Sequence, residues 1–415
     1  MFRFEPSRSG VKWLGLMGIG LVPALAQADY LADSHLKLDM KNFFLDRNFT
    51  KNDAPVADVG NWSQGFDLQF MSGYTEGPVQ FGLDFDAQYA LKLDGHGDDG
   101  SLPMKANGNP ADDYSRAGAT AKIRYSRTEL KIGDMRPNLP VAWDDDSRQL
   151  DTIYQGAVIE SHDIDHLMLT GGRFWSTVTR ESSNHEKLYK YRTSDALDSD
   201  GLNFVGGTYS VTPKVDLTYF YGQVEDIYQQ HYAGIKYTQP LGGGYTLRTD
   251  VRYFNNNEDG QALDGAIDNR TYGTLFSLLK GPHIFGISYQ RVLGKSVFPT
   301  LNGYIPQPYL VHWGNTPFIL AEERSWGARY QYDFASLGIP GLIFATSYTR
   351  GTGIDRGAGQ PDGTESERNF RLAYTLQSGL FKGLSFDYRK IDVKSRYVSD
   401  WDESRLITRY TWKFW

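Results

Sequence analysis

Strict alternation of apolar and polar residues is the feature that most constrains the fold of this chain. From Phe81 to Leu93 every odd position is apolar, whereas Asp84, Asp86 and Lys92 occupy even positions. Such alternation predicts β-strands with one apolar and one polar face. The same pattern returns in three further segments, at 245–253, 326–334 and 406–414. The sequence therefore predicts an all-β protein.

Eighteen strands can be placed on this pattern, with ends set to within about 2–4 residues. They cover 34–45, 61–72, 79–93, 117–126, 127–135, 152–162, 166–176, 202–211, 214–224, 230–240, 244–254, 270–279, 282–291, 324–334, 341–351, 368–377, 383–394 and 404–415. Short turns alternate with long polar connections, the longest at 94–116, 136–151, 177–201, 255–269, 292–323 and 351–367. This rhythm is typical of outer-membrane barrels, in which periplasmic turns are short and extracellular loops are long.

The two faces of the strands point to a membrane outside and water inside. Aromatic residues such as Tyr89, Tyr253 and Trp326 lie near the ends of the apolar faces, as expected for interfacial girdles. The opposite faces carry charges that a dry core would not accept unpaired. A barrel of about 16–18 strands encloses an aqueous channel. We predict a transmembrane antiparallel β-barrel of 18 strands.

Both ends of the chain carry export signals. Arg3, Arg8 and Lys12 accompany an apolar run that closes with Ala26-Gln27-Ala28, which predicts a signal peptide over 1–28. The run is shorter than the ~20 residues that a membrane helix needs. Residues 29–415 would then form a single barrel.

The last strand ends in an aromatic residue, Trp415. It resembles the signal read by the barrel assembly machinery, although phenylalanine is the usual final residue there. We therefore expect the outer membrane of a Gram-negative cell as the location. Membrane lipid, lipopolysaccharide and the assembly machinery are the expected partners.

Several segments, taken together and in order, resemble the OprD family of outer-membrane carboxylate channels. They are 33–49, similar to the first strand; 65–77, to the second strand and first turn; 137–143 with 146–150 and 155–156, to an inward-folded third loop; and 323–326, to the strand after the seventh loop. The resemblance implies 18 strands, an eyelet formed by inward-folded loops, a row of basic side chains along one inner wall, and selective uptake of small carboxylates. The third loop would be 136–151 and the seventh 292–323.

Alternation also predicts which basic side chains face the lumen. Arginine suits carboxylate binding because its planar guanidinium forms two parallel hydrogen bonds and stays charged. Pairing with wall carboxylates such as Asp387 and Asp250 is the alternative role. The candidate binding residues on the strands are Lys122, Arg124, Arg329, Arg371, Arg389, Arg405 and Arg409.

The proposed constricting loop contributes Asp146, Ser147 and Arg148 as further candidates. Arg148 would meet the substrate at the eyelet, with a surface-loop arginine as the alternative. The run 144–146 is acidic and could supply an opposing negative wall, a solvated loop or a divalent-cation site; the sequence leaves these open. Glu322 and Glu323 have the same ambiguity.

The sequence thus predicts a passive porin for small organic or aromatic acids, not an enzyme. A channel for basic amino acids or peptides is the alternative within transport, and a barrel hydrolase or adhesin is a different class. Ser161 and His162 are adjacent on a strand and so point to opposite faces. We find no phosphate-binding loop, dinucleotide motif or cysteine, so we expect no cofactor or thiolate metal site. A net charge of −7 disfavours nucleic acid. We expect a monomer, with a weak trimer as the alternative.

Overall fold

The alternating segments form one closed antiparallel sheet. The computed structural model describes residues 30–51, 54–189, 198–301, 307–312 and 314–415; the predicted signal peptide lies outside them. The strands are β1 (His35–Phe49), β2 (Asp58–Met71), β3 (Val79–His96), β4 (Asp113–Tyr125), β5 (Thr128–Met135), β6 (Asn138–Leu139), β7 (Ala142–Trp143), β8 (Ile153–Ser161), β9 (Leu167–Val178), β10 (Leu202–Thr212), β11 (Val215–Val224), β12 (Tyr228–Gly242), β13 (Tyr245–Glu258), β14 (Asp268–Lys280), β15 (His283–Leu293), β16 (Arg324–Asp333), β17 (Leu342–Ile354), β18 (Gly363–Thr375), β19 (Ser385–Ser395) and β20 (Trp401–Lys413). A 3-10 helix spans Phe334–Leu337.

Eighteen of these strands make the barrel, while β6 and β7 form a small hairpin within one loop. Each barrel strand pairs with its neighbours in sequence, and β1 pairs with β20 from Lys37 opposite Lys413 to Phe49 opposite Trp401. Closure leaves no unpaired edge. The predicted 18-stranded antiparallel barrel is confirmed. Within the described residues, no helix is long and apolar enough to span a membrane.

The predicted strand ends agree best at the short turns, where each lies within two residues of the observed end. At the long-loop side several strands extend further. For example, β1 continues to Phe49 and β13 to Glu258, and β18 begins at Gly363, where the sequence pattern predicted 45, 254 and 368. Beyond the apolar band the outer face no longer meets lipid, so alternation ceases while the hydrogen-bond ladder continues.

The long connections lie at the barrel end opposite Lys413, and we assign this end to the extracellular side. The described parts of four of them shape the lumen: loop 2 (97–112), loop 3 (136–152), loop 4 (179–189 and 198–201) and loop 7 (294–301, 307–312 and 314–323). Loops 3 and 7 fold inward and share one apolar cluster with wall residues, in which Leu139, Val141, Phe298, Leu310 and Phe254 are all buried. Burying these side chains against the wall holds both loops inside the barrel.

Loops 3 and 7 also contact each other directly. The Trp143 and Tyr309 rings lie edge to face with centroids 5.9 Å apart. The Tyr309 hydroxyl donates to the Asn138 carbonyl at 2.9 Å, and the Gln307 amide donates to the Pro140 carbonyl at 3.0 Å. The two loops therefore form a joined obstruction inside the barrel.

Candidate functional site

Loop 3 is fastened to the inner wall at β1 and β2. Lys41 Nζ donates to the Arg148 carbonyl at 2.6 Å, and Gln149 Nε2 donates to the Lys41 carbonyl at 3.0 Å. The Ser63 hydroxyl donates to Gln149 Oε1 at 3.2 Å. A Cβ atom at Gly65 would lie 2.2 Å from Gln149 Nε2, so glycine at this wall position makes room for the loop.

Arg136, at the start of loop 3, is the second fastening. Its guanidinium lies 2.8 Å from Asp67, 2.7 Å from Asp86 and 3.6 Å from Asp151. Burial alone would lower the pKa of Arg136, but the three carboxylates raise it above its usual value. The group is therefore a permanent cation that ties loop 3 to β2 and β3.

A cavity of about 1000 Å³ lies between loops 2, 3, 4 and 7 and the wall. Eight arginines line it: Arg47, Arg148, Arg180, Arg248, Arg329, Arg371, Arg389 and Arg405. Five of them, on loop 3, β16, β18, β19 and β20, are among the predicted binding residues. The structure thus brings these five candidates to a single water-accessible space.

Three of these arginines are direct cross-strand neighbours. Arg371 lies opposite Arg389, and Arg389 lies opposite Arg405. We call them the lumenal arginine row. Side chains in such positions have Cβ atoms roughly 4.5–5.5 Å apart, and like charges there are destabilising. The row therefore concentrates positive charge and destabilises this part of the barrel wall.

Two carboxylates offset part of that charge. Asp387 accepts from Arg371 at 2.9 Å and from Arg389 at 2.7 Å. Glu403 pairs with Arg405 and lies 2.6 Å from Arg47. The side chains of Arg371 and Arg389 nevertheless keep 46% and 33% of their surface exposed. These two guanidiniums are therefore paired with the wall and still partly open to the lumen.

Arg148 of loop 3 faces the same cavity. Its Nε donates to the Asp99 carbonyl of loop 2 at 3.0 Å, and no carboxylate of the described residues lies within 4.0 Å of it. Burial and the neighbouring cations Arg405 and Arg180 lower the pKa of Arg148, yet an arginine remains protonated at physiological pH. Ser147 also lines this cavity, with its hydroxyl 3.4 Å from Arg180.

The remaining candidates do not line this cavity. Arg409 and Asp146 line a separate cavity of about 330 Å³, also bordered by loop 3. Lys122 and Arg124 lie near the short-turn end and line neither cavity.

The reason is local pairing. Lys122 is buried 2.6 Å from Asp84, and the Arg124 guanidinium lies 3.6 Å from the Tyr74 ring centroid and 3.6 Å from Glu129. Alternation predicts the sheet face on which a residue lies, but not its position along the barrel axis or the residues with which it pairs.

The acidic run 144–146 does not form one exposed negative wall. Burial opposes ionisation of Asp145, but Arg180 at 2.9 Å and hydrogen bonds from Ser147 lower its pKa. Asp146 points to the smaller cavity. Within the described residues, no group of three or more histidines and carboxylates is arranged to hold a metal ion.

Glu322 and Glu323 are structural rather than lumenal. Glu322 lies 2.6 Å from Arg291, whereas Glu323 is fully buried and accepts from the Leu320 amide at 3.1 Å. Ser161 and His162 form no nucleophile–base pair with each other. The Ser161 hydroxyl contacts Thr128, and the His162 ring contacts Glu160 at 2.9 Å.

Three cavity-lining arginines were not among the predicted site residues. Arg248 and Arg47 lie on strands, and the alternation of their neighbours places both on the lumenal face. Arg180 lies in loop 4, and no sequence pattern relates a loop residue to a distant cavity. It contacts loop 3 at Asp145, 2.9 Å away, and at the Ser147 hydroxyl, 3.4 Å away.

Replacing Arg148 by alanine should widen the pore and weaken anion preference, because a cation and most of a long side chain leave the cavity. Single-channel recording in planar bilayers would measure both effects. Arg124→Ala, which removes an equal charge outside the cavity, is the matched control and should leave both quantities near those of the unmodified protein. Unchanged conductance and selectivity in Arg148→Ala would place Arg148 outside the constriction.

A closed 18-stranded barrel with an apolar exterior and a charged, loop-constricted lumen defines an outer-membrane porin. Comparison of the chain with known proteins agrees with this class. Residues 28–414 match the family model described as "outer membrane porin, OprD family", and the chain belongs to that family. The resemblance found in the sequence is therefore confirmed, as is the outer-membrane location.

Relatives cover almost the whole chain. Porin-like protein GalP of Pseudomonas putida is 37% identical over 393 residues, covering 93% of each chain. The crystal structure of Pseudomonas aeruginosa OpdL is 44% identical with a TM-score of 0.85, and that of OpdK with vanillate is 35% identical with a TM-score of 0.87. Both structures cover 93% of this chain and are covered completely. The matched family model and GalP are both described as porins, which are channels rather than enzymes.

Proposed function

We propose that this porin takes up small organic or aromatic carboxylates by passive diffusion, and that the lumenal arginine row binds them in transit. The observation that carries the proposal is the placement of Arg371, Arg389 and Arg405 side by side in the cavity that Arg148 also lines. A row of like charges destabilises the barrel wall. An anionic substrate would supply the opposite charge, which gives the row a function in binding.

The arrangement suits transient binding. A carboxylate can meet each guanidinium with two parallel hydrogen bonds. Asp387 already occupies part of the Arg371 and Arg389 hydrogen-bonding capacity, so the substrate must compete with it and binds weakly. Conduction requires affinity strong enough for capture and weak enough for release. Competition from Asp387 therefore weakens substrate binding and favours release.

The OpdK structure provides independent support. It was determined with vanillate, an aromatic carboxylate, and its chain superimposes on this one with a TM-score of 0.87. The same barrel architecture therefore accommodates a solute of the proposed class. A constriction built from loops 3 and 7, with one basic wall, is consistent with such a solute in this porin.

The purified porin in liposomes should take up vanillate and succinate faster than a neutral sugar of similar size and faster than lysine. The reversal potential under a salt gradient should indicate anion preference, which should weaken at 1 M salt because the Debye length falls to about 3 Å. Faster uptake of lysine would instead support the channel for basic amino acids. Equal rates for all solutes would refute carboxylate selectivity.

A further inference from the structure

A second set of arginines lies on the outside of the barrel, at the extracellular ends of five consecutive strands. We call it the outer arginine patch; its members are Arg270 on β14, Arg291 on β15, Arg324 on β16, Arg350 on β17 and Arg368 on β18. Each occupies the same outward strand face as exposed aromatic residues such as Tyr272, Tyr289 and Trp326. Because these charges lie on the outside of the barrel, they cannot contact a solute in the pore.

The strand register places the patch in one continuous line. Arg291 lies directly opposite Arg324, while Arg350 is opposite Trp326 and Arg368 is opposite Tyr348. Successive arginines are therefore either direct or diagonal neighbours, and diagonal cross-strand neighbours are roughly 7–8 Å apart. The guanidiniums lie immediately outside the aromatic residues that mark the edge of the apolar band.

Most of this charge is not neutralised by the protein. Arg291 lies 2.6 Å from Glu322. The other four arginines of the patch are exposed. Among the described residues, no carboxylate lies within 4.0 Å of any of their guanidiniums. Exposed arginines that merely strengthened the wall would have such partners, as Arg371 and Arg389 do. Four outward guanidiniums thus have their hydrogen-bonding capacity open toward the membrane surface.

The patch is confined to one side of the barrel. On β1 to β4 the corresponding outward positions near the extracellular ends carry acidic residues: Asp46, Asp58, Asp94 and Asp113. Asp268 shares the outward face of β14 with Arg270, but arginines predominate along the extracellular rim over β14–β18, whereas acidic residues predominate over β1–β4. A general attraction between the porin and an anionic surface would not produce this asymmetry, whereas a localised ligand would.

We propose that the outer arginine patch binds the phosphorylated headgroup of lipopolysaccharide in the outer leaflet. The patch lies at the depth where the apolar band ends and headgroups begin. Phosphate oxygens accept charge-assisted, bidentate hydrogen bonds from guanidinium. Each basic side chain near an anionic membrane surface contributes measurably to binding. The spacing of the arginines along the rim allows one headgroup to contact two or three of them.

Binding of purified lipopolysaccharide to the porin in lipid nanodiscs tests this proposal. The test variant is Arg324→Gln with Arg350→Gln and Arg368→Gln. Its affinity should be at least about tenfold weaker than that of the unmodified protein, given three lost cationic contacts. Enzymatically dephosphorylated lipopolysaccharide should bind the unmodified protein with a similar loss. The matched control is Arg371→Gln with Arg389→Gln, which removes lumenal charges and should not change the affinity.

Folding and ion bridging are tested separately. The heat-modifiable migration and single-channel conductance of the triple variant should match those of the unmodified porin, which shows that the barrel is intact. The binding should survive EDTA, since direct arginine contacts need no metal. Affinity within twofold of the unmodified protein in the triple variant, equal binding of the dephosphorylated lipid, or loss of binding in EDTA would each overturn the proposal. The last result would move the site to the acidic rim.

Discussion

Uptake of vanillate should fall at least about tenfold when Arg371 and Arg389 are both replaced by glutamine, while uptake of a neutral sugar of similar size stays within twofold. Glutamine keeps much of the volume and hydrogen-bonding capacity but removes the charge. Hydrogen bonds to charged groups contribute ≈ 1.5–3 kcal/mol, and about 1.4 kcal/mol corresponds to a tenfold change. Substrate-specific liposome uptake measures the difference directly.

The double substitution also leaves Asp387 without its two partners, and this carboxylate would then repel anions. Adding Asp387→Asn separates the two effects. Restored vanillate uptake in the triple variant would mean that repulsion by Asp387 caused the loss, whereas a persistent loss would mean that the arginines attract the substrate. Equal reductions for acid and sugar in the double variant would show that the arginines only stabilise the wall, and the carboxylate assignment would be withdrawn.

Replacing Arg136 by methionine should have the largest effect on the constriction. Three carboxylates, Asp67, Asp86 and Asp151, would lose their shared cation. Removing one partner from a fully buried ion pair typically costs about 3–5 kcal/mol; because these four side chains are only half-buried, the loss should be smaller than this. We expect loop 3 to detach from β2 and β3, the free energy of unfolding in urea to fall, and the single-channel conductance to increase with greater current noise.

The rescue variant combines Arg136→Met with Asp67→Asn and Asp86→Asn, which removes most of the unpaired charge. It should recover much of the stability, because replacing a whole buried ionic group is far less costly than breaking it. Arg127→Met is a matched control, since that arginine is exposed in a turn where its partner is Asp165. An unchanged conductance in Arg136→Met would show that loop 3 is held by other contacts, such as those of Lys41 and Gln149.

The barrel could be predicted from the sequence because its main determinant is local. Lipid outside and water inside impose a period of two on every strand, so strand number, direction of side chains and the alternation of turns and loops are all contained in short segments. The prediction failed only at loop-side strand ends such as Gly363, where the outer environment changes from lipid to water and the pattern disappears.

The site was predictable only in part, for a related reason. Alternation correctly placed Arg371, Arg389 and Arg405 on the lumenal face, but their direct opposition depends on strand register across β18 to β20. It could not separate Lys122, which is neutralised by Asp84 near the turn end, from arginines in the cavity. Arg180 was missed because loop geometry is set by tertiary contacts that no periodic pattern encodes.

Closure of β20 against β1 joins residues that are more than 350 positions apart in the chain. During assembly the last strand must select one register among several that would satisfy the backbone equally well. A shift by one residue would turn Arg405 and Arg409 toward lipid and Tyr410 and Trp412 toward water. An outward arginine near the bilayer midplane costs about 2–4 kcal/mol, so a misaligned seam is penalised as soon as it forms. The lumenal charges thus also favour the correct register of β20 against β1 when the barrel closes.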